Sequence, residues 1–337
     1  MKCMLRTRRR FLRGSFAVCG MGLLSGCGVL PAQAPVTKRI ARIGYLSLST
    51  APAEEGFRLG LRELGYVEGE NLMIEWRRAD GQEDRLPQLT AELLRLDLEV
   101  LVTRGTVETR IAKRATSTVP VVFTNVTDPV GAGLVTNLAR PEANVTGVSN
   151  SVRGLHGKRV ELLSETVPSA SRIAVVSYFS VANTSATISW QETHAASQKL
   201  GIHAQIYDAL EGADLDEVFA TVQRDRADAF LLLPSGPVFF NQAPKFAEFV
   251  ARARLPSMFE ERAFAAAGGL LAYGATLFDA PRRSATYVDR ILKGAKPADL
   301  PVEQPTRFDF VVNLKAAQAL GLTIPPEVLR QATEVIQ

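Results

Sequence analysis

Apolar runs typical of buried strands alternate with helical segments along most of the chain, and this alternation limits the possible folds more than any other feature. "EVLVTRG" precedes the helical "TVETRIAKRAT", and "AFLLLPS" precedes a helical segment over roughly 240–254. Continuous strands rich in Val, Ile and Leu, each followed by a helix, indicate parallel sheets covered on both faces. The pattern occurs in two series, which predicts an α/β fold with two doubly wound lobes.

Three local features refine this prediction. "RPEANVTGVSNSV" (140–152) carries turn residues between the two series and predicts the first crossover between the lobes. The hydroxyl of Thr106 is predicted to cap the helix that follows "VTRG", because it can accept a hydrogen bond from an orphan N–H. The stretch "LPVEQPTRFDFVVNLKAAQALGLTIPPEVLRQA" (300–332) predicts one further strand and short helices.

Residues 1–26 have the composition of an export signal. They hold six basic side chains and no acidic ones, followed by an apolar run from Phe16 to Leu24 that is too short for a membrane span of ~20 residues. "TRRRFLR" resembles the twin-arginine export pattern, and "LSGC" resembles a bacterial lipobox that would leave Cys27 lipidated. An uncleaved anchor or a plain signal peptide is the alternative. Residues 27–39 are predicted to be a tether.

Removing this leader changes the charge and the cysteine content. The net charge of +4 becomes −2, because the leader holds six basic side chains, and the basicity therefore gives no argument for a nucleic-acid partner. Cys3 and Cys19 also leave, so Cys27 is the last cysteine and no internal disulfide or cysteine metal cluster is expected. The three scattered histidines favour no metal site, and the glycine-rich segments lack the spacing of a dinucleotide or phosphate loop, so no cofactor is expected.

The carboxyl ends of the predicted strands are unusually polar. Open parallel sheets bind ligands beyond these ends, and two facing lobes would line one cleft with them. Exposed N–H groups at the turn "RGTVET" would attract a carboxylate or a phosphate. The candidate ligand-binding residues are Tyr45, Ser47, Arg104, Gly105, Thr106, Thr124, Asn125, Thr127, Asp128, Asn183, Ser235, Glu260 and Tyr273.

Each candidate has a structural alternative that the sequence leaves open. Arg104 holds a ligand carboxylate or points to solvent, and Asp128 pairs with a ligand cation or caps the turn before Pro129. Glu260 faces the cleft or lies on a solvated rim. The rings of Tyr45 and Tyr273 stack on a ligand or pack in the core. No residue pattern nominates a general acid, a base or a nucleophile, so catalysis is not expected.

Several longer motifs resemble those of a known family. "GLRELGYVEG", "DPVGAGLV" and "ILKGAKPADLPVEQPT" are similar to segments of ABC transporter substrate-binding proteins of the tryptophan/tyrosine uptake type, and the likeness extends over about 40–337. It implies a type I periplasmic-binding-protein fold, with two Rossmann-like lobes joined by a three-crossover hinge. Lobe one would comprise 40–148 plus 275–298, and lobe two 149–274 plus 299–337.

The resemblance also implies a function. The loops at Gly105–Thr106 and Thr124–Asp128 would contact a small ligand from lobe one, and Asn183, Ser235 and Tyr273 would contact it from lobe two. The chain would be a monomeric periplasmic protein, anchored through its lipid only, which delivers an anionic or zwitterionic ligand to a membrane permease driven by an ATPase. Relatives commonly have a small residue where Arg104 stands, so this chain departs from them beside the proposed pocket. A ligand-sensing subunit or an exported hydrolase are the alternatives.

Overall fold

The computed structural model describes residues 40–48, 53–141, 143–150, 152–177, 184–209, 214–233, 239, 242–275 and 279–337. All of them belong to one compact unit. The predicted export signal, Cys27 and the predicted tether lie outside the described residues, as do Asn183 and Ser235. In the described ranges, no helix is long and apolar enough to cross a membrane.

Five parallel strands form the first sheet, in the spatial order β2-β1-β3-β4-β5. The strands are β1 (Ala41–Ser47), β2 (Leu72–Arg78), β3 (Val100–Arg104), β4 (Val121–Val126) and β5 (Val145–Ser149). The helices that follow the first three strands are α1 (Ala53–Glu63), α2 (Leu86–Leu94) and α3 (Thr106–Ala115), and a short 3₁₀ turn, Glu83–Arg85, leads into α2.

Strand β5 corrects one expectation. It lies inside 140–152, which the sequence predicts to be a turn-rich crossover, so the crossover begins only after Ser149. The cause is Gly147, whose φ of 152° and close approach to β4 exclude a side chain: a Cβ there would lie 2.1 Å from the carbonyl oxygen of Phe123. A glycine that the packing of two strands requires has the same appearance in the sequence as a turn glycine.

The second sheet has seven strands, in the order β12-β11-β10-β9-β8-β6-β7. The strands are β6 (Arg172–Ser177), β7 (His203–Asp208), β8 (Ala229–Leu232), β9 (Ser257–Phe259), β10 (Leu271–Ala275), β11 (Phe308–Asn313) and β12 (Glu334–Ile336). All neighbours pair in parallel except β10 and β11, which are antiparallel. Residues 300–332 contain one strand, β11, as predicted, and β12 follows after that stretch.

Helices flank the second sheet, and one returns to the first. The helices are α4 (Leu155–Thr166), α5 (Thr184–Lys199), α6 (Leu215–Arg224), α7 (Ala243–Arg252), α8 (Arg262–Ala266), α9 (Asp279–Leu292), α10 (Leu314–Leu320) and α11 (Pro326–Gln331), with a 3₁₀ turn at Pro297–Asp299. Of these, α9 packs on α1 and on strands β4 and β5 of the first sheet.

Both sheets have an apolar layer on each face. Alternate residues of β3 show this: Val100 and Val102 join one buried cluster, and Leu101 joins the other. In β6, Val176 joins one cluster and Val175 the other. Burial on two faces is why these strands are continuous apolar runs, and it confirms the predicted α/β fold with two sandwiched, mostly parallel sheets.

Three chain segments join the two sheets. One runs from β5 to α4, one from β10 to α9, and one from the 3₁₀ turn at 297–299 to β11. The third segment is held to the edge of β5, because Ser149 N donates to Glu303 O at 2.8 Å and Glu303 N donates to Gly147 O at 3.0 Å. The carboxyl ends of β5 and β10 both lead into these segments, so the strand ends of the two lobes lie on the side of the hinge.

Candidate ligand-binding site

A row of polar side chains crosses the first sheet at its carboxyl edge. Ser47 of β1 is paired in register with Arg104 of β3, and Arg104 is paired with Thr124 of β4. Partners in a parallel ladder project from the same face, so the three side chains are neighbours. Ser47 and Thr124 are fully buried, and Arg104 is only 8% exposed. The alternative in which Arg104 points to solvent is therefore wrong.

This row contains polar atoms that the protein itself leaves unpaired. Among the described residues, several buried atoms at this edge have no hydrogen-bond partner: Tyr45 Oη, Ser47 Oγ, Arg104 Nε and Nη1, Thr124 Oγ1 and both amide atoms of Asn125. An unsatisfied buried polar group costs about 1–3 kcal/mol, so such a concentration marks a place where a bound molecule or water completes the bonds. The pattern supports a polar ligand at this edge.

Tyr45 contributes its hydroxyl rather than its ring. The ring is fully buried and packs between Phe57 and Trp76, with centroid distances of 5.2 and 4.7 Å. Burial raises the pKa of Tyr45 far above its usual value, and the charge of Arg104 opposes this shift. The core-packing alternative therefore holds for the ring, and the neutral hydroxyl lies within reach of the charge of Arg104.

The start of α3 differs from the prediction. Gly105, with φ 106°, is the N-cap, and Thr106 is the first helical residue, so the prediction that Thr106 caps the helix is wrong. The anion at this helix start is supplied by the chain itself: Glu108 accepts the N–H of Leu48 at 2.9 Å and its own backbone N–H. A Cβ on Gly105 would lie 2.8 Å from Glu108 Oε2, so glycine leaves room for this carboxylate.

The turn after β4 divides its polar residues between two roles. Thr127 Oγ1 donates to Asn150 Oδ1 at 3.1 Å, and Asp128 Oδ1 accepts the N–H of Gly131 at 2.9 Å. Asp128 therefore caps its own turn, which is the local alternative. Asn125 and Asp128 both adopt positive φ, which these residue types tolerate. The amide of Asn125 has no partner among the described residues and remains available to a ligand.

The same turn faces lobe two across a cavity of about 290 Å³. Lobe one contributes the turn itself, lobe two contributes α4 and α5, and the third crossover contributes one residue. The lining residues include Thr127, Asp128, Val130, Val152, Arg153, His156, Ile188, Glu192 and Gln304. This cavity brings the two lobes together at one of the predicted ligand loops.

Lobe two is organised around a buried cation that the sequence analysis missed. Arg159 of α4 is 2% exposed and donates from Nε to the carbonyl oxygen of Tyr273 at 2.7 Å. Its Nη1 donates to His156 Nδ1 at 3.0 Å, and its Nη2 lies 3.7 Å from Glu260 Oε2. Burial lowers the pKa of His156 well below its usual value, so the neutral ring carries its proton on Nε2 and donates it to Ser189 Oγ.

Two carboxylates follow β9 beside this cation. The side chain of Glu260 is 19% exposed and pairs with Arg159, so the solvated-rim alternative is wrong. Burial raises the pKa of Glu260, and Arg159 opposes that shift. Burial and the charge of Glu260 raise the pKa of Glu261, whereas Arg104 of lobe one lowers it. The charges of Arg104 and Glu261 therefore act on one another across the gap between the lobes.

The remaining predicted residues of lobe two have a smaller part in this arrangement. The ring of Tyr273 stacks on Phe308 at 5.8 Å and meets Phe310 edge-on at 6.0 Å, so it belongs to the packing of lobe two. Ser177, at the end of β6, was not predicted, but it is fully buried and its Oγ has no partner among the described residues. In those same residues, no group of three His, Cys, Asp or Glu side chains is placed to hold a metal.

The sequence matches the ABC transporter substrate-binding protein family over residues 48–336. The chain belongs to this family. A tyrosine-binding protein of Clostridioides difficile (strain R20291) is 22% identical over 316 residues, which cover 90% of each chain. The resemblance deduced from the sequence motifs is confirmed.

Solved structures agree with this assignment. A conserved domain protein from Vibrio cholerae superposes with a TM-score of 0.82 at 29% identity, over 88% of this chain and all of that one. An ABC domain from Streptococcus pneumonia, solved in complex with L-Trp, gives a TM-score of 0.80 at 27% identity with the same coverage. The expected type I periplasmic-binding-protein fold is confirmed, and the family is one of solute-binding proteins.

Proposed function

We propose that this protein captures a small polar ligand, anionic or zwitterionic and amino-acid-like, between its two lobes and delivers it to the membrane permease of an ABC importer. The observation that carries the proposal is the row of buried, unpaired polar atoms on Ser47, Arg104 and Thr124, in which the charge of Arg104 acts on Glu261 of lobe two. The tyrosine-binding relative and the L-Trp complex of a structural neighbour support an amino-acid-like ligand.

The closing bodies in this proposal are 40–148 plus 275–298 and 149–274 plus 299–337. The sheet membership of β5 and β11 and the packing of α9 on α1 support this division, with Ser149 moved to lobe one and Ala275 to lobe two, because β5 and β10 end at these residues. Ligand stabilises the closed form by its higher affinity for that form. Asn183 and Ser235 are proposed to contact the ligand from lobe two, with Gly105 and Thr106 contacting it from lobe one.

A thermal-melting screen tests the capture step. At a ligand concentration 100 times its Kd, binding to the native state alone stabilises a protein by about 2.7 kcal/mol, which is readily measured as a rise in Tm. We expect one or a few of the standard amino acids or small organic acids to raise the Tm, and calorimetry to give one site per chain. A flat response to every amino acid and organic acid would reject the proposal.

The export and anchoring steps are also proposed. Residues 1–26 direct the chain out of a bacterial cytoplasm, and the lipid on Cys27 holds the otherwise monomeric protein at the periplasmic face of a membrane. The basic leader and "LSGC" support this step. A Cys27→Ala variant should move from the membrane fraction to the soluble periplasmic fraction. An unchanged distribution of this variant between the two fractions would contradict lipidation.

A further inference from the structure

Arg104 is a buried cation whose charge lobe one leaves only partly balanced. A second cation, Arg78 of β2, is paired in register with Ser47 and forms a bidentate pair with Glu54, at 2.9 and 2.6 Å. Glu108 lies near Arg104, but its carboxylate already accepts backbone N–H groups, and burial raises its pKa to about 7. Glu108 is therefore only partly ionised at neutral pH. The guanidinium of Arg104 consequently keeps unpaired donors and a net positive charge, and this charge acts on Glu261 of lobe two.

Lobe two places two carboxyl groups after β9, and the charge of Arg104 acts on one of them, Glu261. Glu260 and Glu261 share a single buried cation, Arg159, which pairs with Glu260. Among the described residues, Glu261 Oε2 is buried and accepts no hydrogen bond. Burial and the neighbouring Glu260 favour the protonated form of Glu261 by raising its pKa, and a cationic group bound beside it would stabilise the ionised carboxylate.

Resting on the proposed function, we propose that the cleft orients a zwitterionic ligand, with Arg104 of lobe one binding its anionic group and Glu261 of lobe two binding its cationic group. Charge-assisted hydrogen bonds to a ligand would satisfy both buried side chains, which otherwise stay unpaired. A ligand with a single charge satisfies only one lobe, whereas a zwitterion engages both and favours closure. Arg104 and Glu261 are therefore specificity-determining residues that select a dipolar ligand.

The test combines ligand analogues with two variants that remove a charge, Arg104→Gln and Glu261→Gln. The probes are L-tyrosine and L-tryptophan, with their amines, tyramine and tryptamine, and their deaminated acids, 3-(4-hydroxyphenyl)propanoate and indole-3-propanoate. If the wild type prefers another standard amino acid, the amine and the acid of that amino acid take their place. Calorimetry gives each Kd, and circular dichroism checks that the variants are folded.

We expect the wild type to bind the amino acid roughly 10- to 100-fold more tightly than either analogue. Arg104→Gln should weaken binding of the amino acid by about that factor, with little effect on the amine, which lacks the carboxylate. Glu261→Gln should weaken the amino acid similarly, with little effect on the deaminated acid. The matched control Arg282→Gln removes an exposed arginine that pairs with Glu63 of α1, and it should change none of these constants.

Two results would overturn the orientation while leaving the proposed function intact. In one, each variant weakens the amino acid and its analogues equally, so the two side chains act on the site as a whole. In the other, the pattern is exchanged, with Arg104→Gln sparing the acid and Glu261→Gln sparing the amine. Binding of organic acids but of no amino acid would likewise overturn the orientation and leave the proposed function intact. If the wild type binds neither class, the proposed function fails first and the orientation fails with it.

Discussion

Glu108 is a buried carboxylate at the start of α3, and its protonation should make the stability of the protein depend on pH. Burial raises its pKa from 4.5 to about 7, although the N–H of Leu48 and its own N–H oppose that shift. The native state therefore keeps a proton over a pH range in which the unfolded chain has released it. Stability must fall as the pH rises from about 4.5 to 7, because the native state binds more protons there.

The variant Glu108→Gln should remove this part of the pH dependence. Glutamine can still accept the N–H of Leu48 but does not ionise. Relative to the variant, the wild type should lose about 2–3 kcal/mol of unfolding free energy between pH 5 and pH 8. Urea denaturation of both proteins at the two pH values measures the difference. If the difference in unfolding free energy between wild type and variant is the same at pH 5 and pH 8, Glu108 titrates as an ordinary exposed carboxylate.

At the scale of elements, Arg159 ties α4 to the ends of β9 and β10. Its bonds to Tyr273 O and His156, and its ion pair with Glu260, hold the strand ends that face lobe one. Removing one partner of a buried ion pair usually costs 3–5 kcal/mol, because the other charge stays buried without compensation.

Arg159→Met should therefore destabilise the protein by about 3–5 kcal/mol at pH 8. The loss should be smaller at pH 5. Without the cation, the pKa values of Glu260 and Glu261 rise further above their unfolded values, and a raised carboxyl pKa costs stability as the pH rises. The neighbouring Lys158→Met removes an exposed lysine and serves as the control, with an effect within about 0.5 kcal/mol. Equal losses for Arg159→Met at the two pH values would show that packing, rather than charge, is responsible.

The sequence predicts correctly those strands and helices whose residue pattern fits only one type of secondary structure. β3 and β8 are buried on both faces and are continuous apolar runs, so they could be recognised without the structure. β5 was missed because its glycine, which lets β4 pack closely, looks like a turn residue in the sequence. β12 was missed because a strand of three residues is too short to show a periodic pattern. The position of Arg159 could not be predicted, because a helical arginine is usually exposed and only the tertiary packing buries it.

The general position of the site could be predicted because the strands that carry it could be recognised. Parallel strands place their carboxyl ends at one edge, so the polar residues of β1, β3 and β4 had to be neighbours once the strands were recognised. Thr106 and Asp128 illustrate what this logic cannot supply. Whether Gly105 or Thr106 caps α3, and whether Asp128 turns inward or caps its own turn, depends on local backbone angles. A single sequence leaves such angles open.

At the scale of the whole molecule, the turn after β4 lies against lobe two. Gly131 lies in this turn, and a Cβ at that position would stand 3.1 Å from Ile188 Cδ1 on α5 and 2.4 Å from Asp128 Oδ2. The approach of the two lobes at this point therefore depends on the missing side chain. Because a zwitterion gains its second set of contacts only when the lobes are close, a larger residue here should act on affinity through closure.

We expect Gly131→Leu to weaken binding of the preferred amino acid by about 10-fold, because the leucine presses on Ile188 and holds the lobes apart. Small-angle scattering should show a smaller ligand-induced decrease in the radius of gyration than in the wild type. The second-site variant Ile188→Ala should restore most of the affinity, since it creates space on α5 without changing the turn. If Ile188→Ala gives no recovery, the leucine acts through Asp128 and the turn itself, and contact between the lobes at Gly131 does not limit closure.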